Sequence, residues 1–134
     1  GDYCLYRPNA ATDDPIYGLK VDYTVAAFPK ALYLDPANAV YRQFLDQGIA
    51  VYMTYSPRNR LCISAASTPE ARQALDAYLI IPVISSLEDS LVPGRYLYGT
   101  DNHLSTEGAA LRTRRVLGEL QARMEQDGLL KTTS

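Results

Sequence analysis

Hydrophobic and polar positions along this chain change rhythm several times, and the clearest rhythm is helical. Ala37, Val40, Tyr41, Phe44 and Leu45 recur at the spacing of one helix face, with Asp35 placed to cap, Pro36 at the first helical position and Gly48 as the stop. The run Ile49 to Tyr55 is short, apolar and rich in β-branched and aromatic residues, which predicts a buried strand ending at the breaker Ser56-Pro57-Arg58-Asn59. A second helix is expected from Ser67 or Thr68, with Pro69 and Glu70 in its first turn and Ala71, Ala74, Leu75, Tyr78 and Leu79 as its stripe. A strand over about 81–85 follows, with Pro82 confined to its start or to an edge because proline donates no ladder hydrogen bond.

Residues 86–103 read as a long loop, and Ser105 as the cap of a final helix over about 106–127 that Gly128 ends. In that helix Ala109, Thr113, Val116, Leu117, Leu120 and Met124 are expected to face inward, and Arg112, Arg114, Arg115 and Arg123 to stay in water. Upstream, the first 20 residues lack periodicity, and residues 21–28 alternate as a half-buried strand or an extended coil does. Helices alternating with strands over short connections predict parallel strands and right-handed crossovers, hence an α/β layered fold. The whole of 1–134 is expected to be a single α/β domain or the C-terminal portion of one, with 1–34 irregular apart from an edge strand and 35–127 as the core.

Composition fits that picture. A chain of 134 residues, 47% hydrophobic and 21% charged, is long enough to bury about two-thirds of its unfolded surface. A formal charge of -2 argues against nucleic acid or an anionic membrane surface as the main partner. No run reaches the ~18–20 apolar residues of a membrane span, and the start lacks the pattern of a signal peptide. Cys4 and Cys62 permit one disulfide in an oxidising compartment, although two isolated cysteines are more often buried thiols.

Ligands of open parallel sheets bind beyond the carboxyl ends of the strands, which singles out the segments 56–66 and 86–103. The second holds the one histidine of the chain, His103, two residues after Asp101. An Asp so placed is able to accept the ring N–H, fix the tautomer and stabilise the imidazolium formed when the other nitrogen takes a proton. The bland alternative is a surface histidine beside a turn or cap residue. One His and one Asp fall short of a zinc ligand set, and no Gly-rich loop opens a helix to cradle phosphate, so neither metal nor cofactor is implied.

The string Asp101-x-His103-Leu104-Ser105-x-x-Gly108-Ala109, with Arg112-Thr113 one turn on and Tyr55-Ser56-Pro57-Arg58-Asn59 upstream, resembles the C-terminal part of SGNH (GDSL-like) hydrolases. The pattern is most similar to the extracytoplasmic branch that includes alginate-acetylation and D-alanyl-transfer proteins. The resemblance covers about residues 35–127 and is sharpest over 98–113. It implies a flavodoxin-like three-layer sandwich with a parallel sheet, or most of one. It also implies an esterase or O-acyltransferase acting on acyl esters of a carbohydrate or cell-envelope polymer, in an extracytoplasmic or periplasmic setting. His103 and Asp101 would be catalytic, and Arg58 and Asn59 would line the substrate pocket.

Departures from the family pattern matter as much. Thr100 stands where the commonest form has Asp, so Asp101 fits only a shorter spacing. The Gly-Asp-Ser string that supplies the nucleophile is missing, Gly1-Asp2-Tyr3 having Tyr in its place, and only Asn9 or Asn59 offers a weak counterpart to the Gly-x-Asn-Asp loop. The serines at the expected sheet edge are Ser56, Ser64, Ser85, Ser86 and Ser90, each equally readable as a turn or cap residue. The preferred expectation is a C-terminal part of a longer enzyme. The alternative is a degenerate, non-catalytic glycan-binding or assembly module that contacts its partner through exposed members of the chain's 11 tyrosines.

Overall fold

The computed structural model describes residues 6–130. The chain forms two compact units, one made of the residues up to Leu19, Thr54–Cys62 and the residues from Ile84 onward, the other of Lys20–Met53 and Ile63–Val83.

In the second of these units, α1 (Asp35–Leu45) continues a π-type turn over Lys30–Leu34, so Leu34 rather than Asp35 holds the cap position and no side chain caps the helix. Pro36 stands in the first turn of α1, directly after that π-type turn, whose Lys30 carbonyl accepts the Asp35 N–H. Gly48, at φ +75°, closes the helix as expected. The second helix, α2 (Pro69–Asp76), begins as the sequence predicts: the Thr68 hydroxyl accepts the Ala71 N–H at 3.2 Å. Asn38 ties the two helices together, donating to the Tyr78 carbonyl at 2.6 Å and accepting the Ile80 N–H at 3.0 Å.

The expected strand over 21–28 is reduced to one parallel bridge, Val21 with Ile63. Beyond it the Thr24 side chain and carbonyl both accept the Ala27 N–H and turn the chain away. The strand segments around Met53 and Val83 are parallel, as predicted, but they meet in a single bridge, with the Met53 N–H donating to the Pro82 carbonyl at 3.0 Å. A fully buried strand needs neighbours on both sides; here Ile49 remains 46% exposed, and Val40 and Phe44 on the expected inner stripe of α1 are 49% and 42% exposed.

In the other unit, the expected breaker at 58–59 is itself a short strand, β1 (Arg58–Asn59), paired in parallel with β2 (Leu91–Val92). The expected loop 86–103 contains β2, a helical turn α3 (Leu87–Ser90) capped by Ser86, and a 3-10 turn over Gly94–Tyr96. The last helix, α4 (Thr106–Gln126), matches its expected bounds; the Ser105 hydroxyl accepts the Gly108 N–H at 3.1 Å, and Gly128 follows at φ +72°. Arg112 is not a solvated side chain: its guanidinium donates to the Thr54 hydroxyl and to the Tyr55 carbonyl, the latter at 2.7 Å, fixing α4 to the segment before β1. Leu117, expected inside, is 58% exposed. The described chain is thus a mixed helix and strand structure with a small parallel sheet. No helix in it is long and apolar enough to cross a membrane.

Candidate active site

His103 lies on a hairpin. Leu97 and Leu104 face each other as an antiparallel bridge, flanked by hydrogen bonds of 2.8 Å from the Tyr98 N–H to the His103 carbonyl and from the Ser105 N–H to the Tyr96 carbonyl. Successive residues of a strand point to opposite faces. Leu97 is 1% exposed and forms the inner side, whereas Tyr98 and His103 are both exposed. Gly99, at φ +69°, supplies the left-handed residue that the connecting loop requires. Thr100 shapes the rest of the loop, its hydroxyl accepting the His103 N–H at 3.0 Å and donating to the Asn102 side chain at 2.8 Å. Ser105, fully buried, anchors the hairpin's end by capping α4 and donating to Asn9 at 2.6 Å.

The structure does not pair Asp101 with His103. Asp101 is 5% exposed, and its carboxylate accepts the backbone N–H groups of Ile16, Tyr17 and Gly18 at 2.8, 2.9 and 3.1 Å, with the Cys62 thiol as a further donor. Burial pushes its pKa up, but the backbone and thiol hydrogen bonds together outweigh burial and hold the carboxyl below its ordinary value. The expected partner of the histidine is therefore a clamp that fastens residues 16–18 to the hairpin loop. Cys62 is buried; a disulfide to Cys4 lies outside the described residues.

The loop after the first predicted strand does meet the hairpin, since the Asn59 N–H donates to the Asp101 carbonyl at 2.8 Å. Asn59 itself is fully buried, its side chain donating to the Asp13 carbonyl at 3.3 Å and accepting the Leu61 N–H at 3.0 Å, so it forms a turn and presents nothing to a substrate. Arg58 is half-buried, with its Nε enclosed and without an acceptor. A cavity of about 330 Å³ between β2 and α4 is walled by residues such as Leu91, Val92, Tyr96 and Arg112, and none of Arg58, Asn59, Asp101 and His103 lines it.

The in-chain serines are otherwise engaged. Ser90 is fully buried and donates to the Tyr55 carbonyl, Ser85 is buried against the Thr54 hydroxyl, Ser86 caps α3, and the Ser64 hydroxyl accepts the Ala66 N–H. Ser56 is exposed. Among the described residues no group of three metal-binding side chains gathers. Sequence reasoning missed the Asp101 clamp and the role of Thr100; the turn-forming Gly99-Thr100 pair was the available signal for the latter. Comparison with protein-family models, with curated proteins and with solved structures gives no match for this chain.

Proposed function

We propose that this chain carries the general base of an SGNH-type esterase or O-acyltransferase, His103, and that the nucleophilic serine comes from polypeptide outside these residues. The parallel pairing and the capped final helix are compatible with part of a flavodoxin-like three-layer sandwich. The observation that carries the reading is the state of His103: its backbone is held on both sides by hydrogen bonds, its hairpin loop is fastened to Asn59, and its ring is left in solvent. A general base must be firmly placed and accessible, and His103 meets both conditions.

In the proposed reaction the free imidazole nitrogen takes the proton of the serine hydroxyl as the oxygen attacks the ester carbonyl carbon. The imidazolium then gives that proton to the departing alcohol oxygen, leaving an acyl-enzyme. Water, or an acceptor alcohol, attacks next while His103 again takes the proton, and the acyl group leaves as acid or as new ester. Asp101 serves this chemistry as a positioning residue, through the backbone it fastens. The substrates proposed are acyl esters of a carbohydrate or cell-envelope polymer, in an extracytoplasmic setting.

The test is covalent labelling by a fluorophosphonate probe of the gene product that contains these residues. One serine is expected to label, at a position outside residues 6–130, at least 100-fold more slowly in His103→Ala. Absence of labelling, or labelling indifferent to His103, contradicts the proposal.

A further inference from the structure

We infer that the cavity between β2 and α4 binds a small monocarboxylate with an apolar tail, such as a medium-chain fatty acid, and that Arg112 supplies its counter-charge. The inference is independent of the role of His103, which does not line this cavity. The walls are mostly apolar, with Leu91 and Val92 of β2, Tyr96 beyond it and Leu111 of α4. The space, about 330 Å³, is partly open to solvent and falls at the low end of the roughly 300–1,000 Å³ typical of ligand pockets. Such a site takes a small molecule.

The charge of Arg112, another wall residue, selects the occupant. Its half-buried guanidinium meets neutral acceptors only, the Thr54 hydroxyl and the Tyr55 carbonyl, and its Nη1 is enclosed without an acceptor. Among the described residues no carboxylate reaches ion-pair distance of it. The other charges in the wall cancel, since Arg115 pairs with the Asp89 carboxylate at 3.0 Å and also donates to the Asp89 carbonyl at 3.0 Å. Glu119 pairs with Arg115 at 3.8 Å and does not line the cavity.

A cation held partly out of water without a counter-ion is costly, and an anion in the adjoining space offsets that cost. One uncompensated positive charge matches a monoanion, and a carboxylate is the monoanion whose planar geometry suits a guanidinium. The apolar remainder of the space then calls for a hydrocarbon tail, which leaves water as it enters.

The test titrates the 134-residue chain with three ligands that share one tail: octanoate, 1-octanol and octylammonium. Calorimetry is expected to show saturable octanoate binding at least about tenfold tighter than octanol, the contribution of one charge-assisted contact, with octylammonium weaker still. Amide chemical shifts should place the octanoate at Leu91, Val92, Tyr96 and Leu111. Arg112→Gln keeps a side-chain donor and is expected to bring octanoate and octanol within about twofold of each other. Leu111→Trp, at a position 42% exposed and therefore tolerant of substitution, fills the cavity and is expected to abolish binding of both. Wild type alone supplies a further check through octanoate labelled with 13C at its carboxyl. The bound carboxyl is expected to titrate below the free acid, because a guanidinium favours the carboxylate, whereas an apolar cavity alone pushes the pKa up. No saturable octanoate binding overturns the inference, as does octanol binding equally well, a preference for octanoate that survives Arg112→Gln, or a raised carboxyl pKa.

Discussion

The backbone N–H of Asn59 and the carbonyl of Asp101 are joined at 2.8 Å, and the side chain of the same aspartate gathers the N–H groups of Ile16, Tyr17 and Gly18. One buried residue therefore holds the end of β1 and the N-terminal segment to the hairpin that carries His103.

Removing that charge should cost stability. Asp101→Asn keeps the size of the side chain but replaces one accepting oxygen with a donor that faces backbone N–H groups. A loss of about 2–4 kcal/mol is expected, the range for charge-assisted bonds and an unsatisfied buried donor, measured by urea unfolding. A change under about 0.5 kcal/mol would mean that the clamp contributes little.

The same clamp predicts an acid limb. Asp101 has its folded pKa below the ordinary value, so its contribution is fully present above the unfolded value near 3.9 and is lost as pH falls through the lower folded value. Wild type should lose stability in that window more steeply than Asp101→Asn. Parallel curves would exclude the carboxylate as a source of the acid sensitivity.

Two glycines of α4 should respond to alanine with opposite signs. A Cβ on Gly108 would lie 2.5 Å from the Tyr96 carbonyl oxygen, whereas one on Gly118 meets nothing within 4 Å. Gly118→Ala is expected to stabilise by about 0.5–1 kcal/mol through helix propensity, and Gly108→Ala to destabilise by about 1–3 kcal/mol through overpacking. Melting curves of the two variants decide it.

The 134-residue chain by itself should turn over an aryl acetate no faster than a buffer blank, because a base without its nucleophile and oxyanion donors keeps little of the triad's advantage. Turnover abolished by His103→Ala would place the nucleophile within these residues.

Helix ends were the most legible part of this sequence. Thr68, Ser105 and Gly128 act on bonds within a few residues of themselves, and each does what its type predicts. Strands were less legible because burial of Ile49 to Tyr55 depends on neighbours that the local pattern does not reveal. The reading of Asp101 failed for a related reason. Its nearest ring was two residues away, but its backbone donors lie 83 to 85 residues upstream, and a carboxylate captured by successive amides leaves no periodic trace. Arg112 follows the same pattern: placed on the polar stripe of α4, it is drawn in by a hydroxyl and a carbonyl that lie 58 and 57 residues earlier, respectively. His103 itself was found because a single histidine in front of a capped helix is conspicuous in sequence alone.

The central claim is that His103 does chemistry and not structural work, and one paired measurement tests it most directly. For the gene product containing these residues, kcat/KM on an O-acetylated polysaccharide and the melting temperature are compared between wild type and His103→Ala. The exposed ring predicts a melting temperature unchanged within about 1 °C, and the proposed role predicts a fall in kcat/KM of at least about 10³-fold. Activity retained within twofold, or lost only in proportion to a fall in melting temperature, would contradict the account.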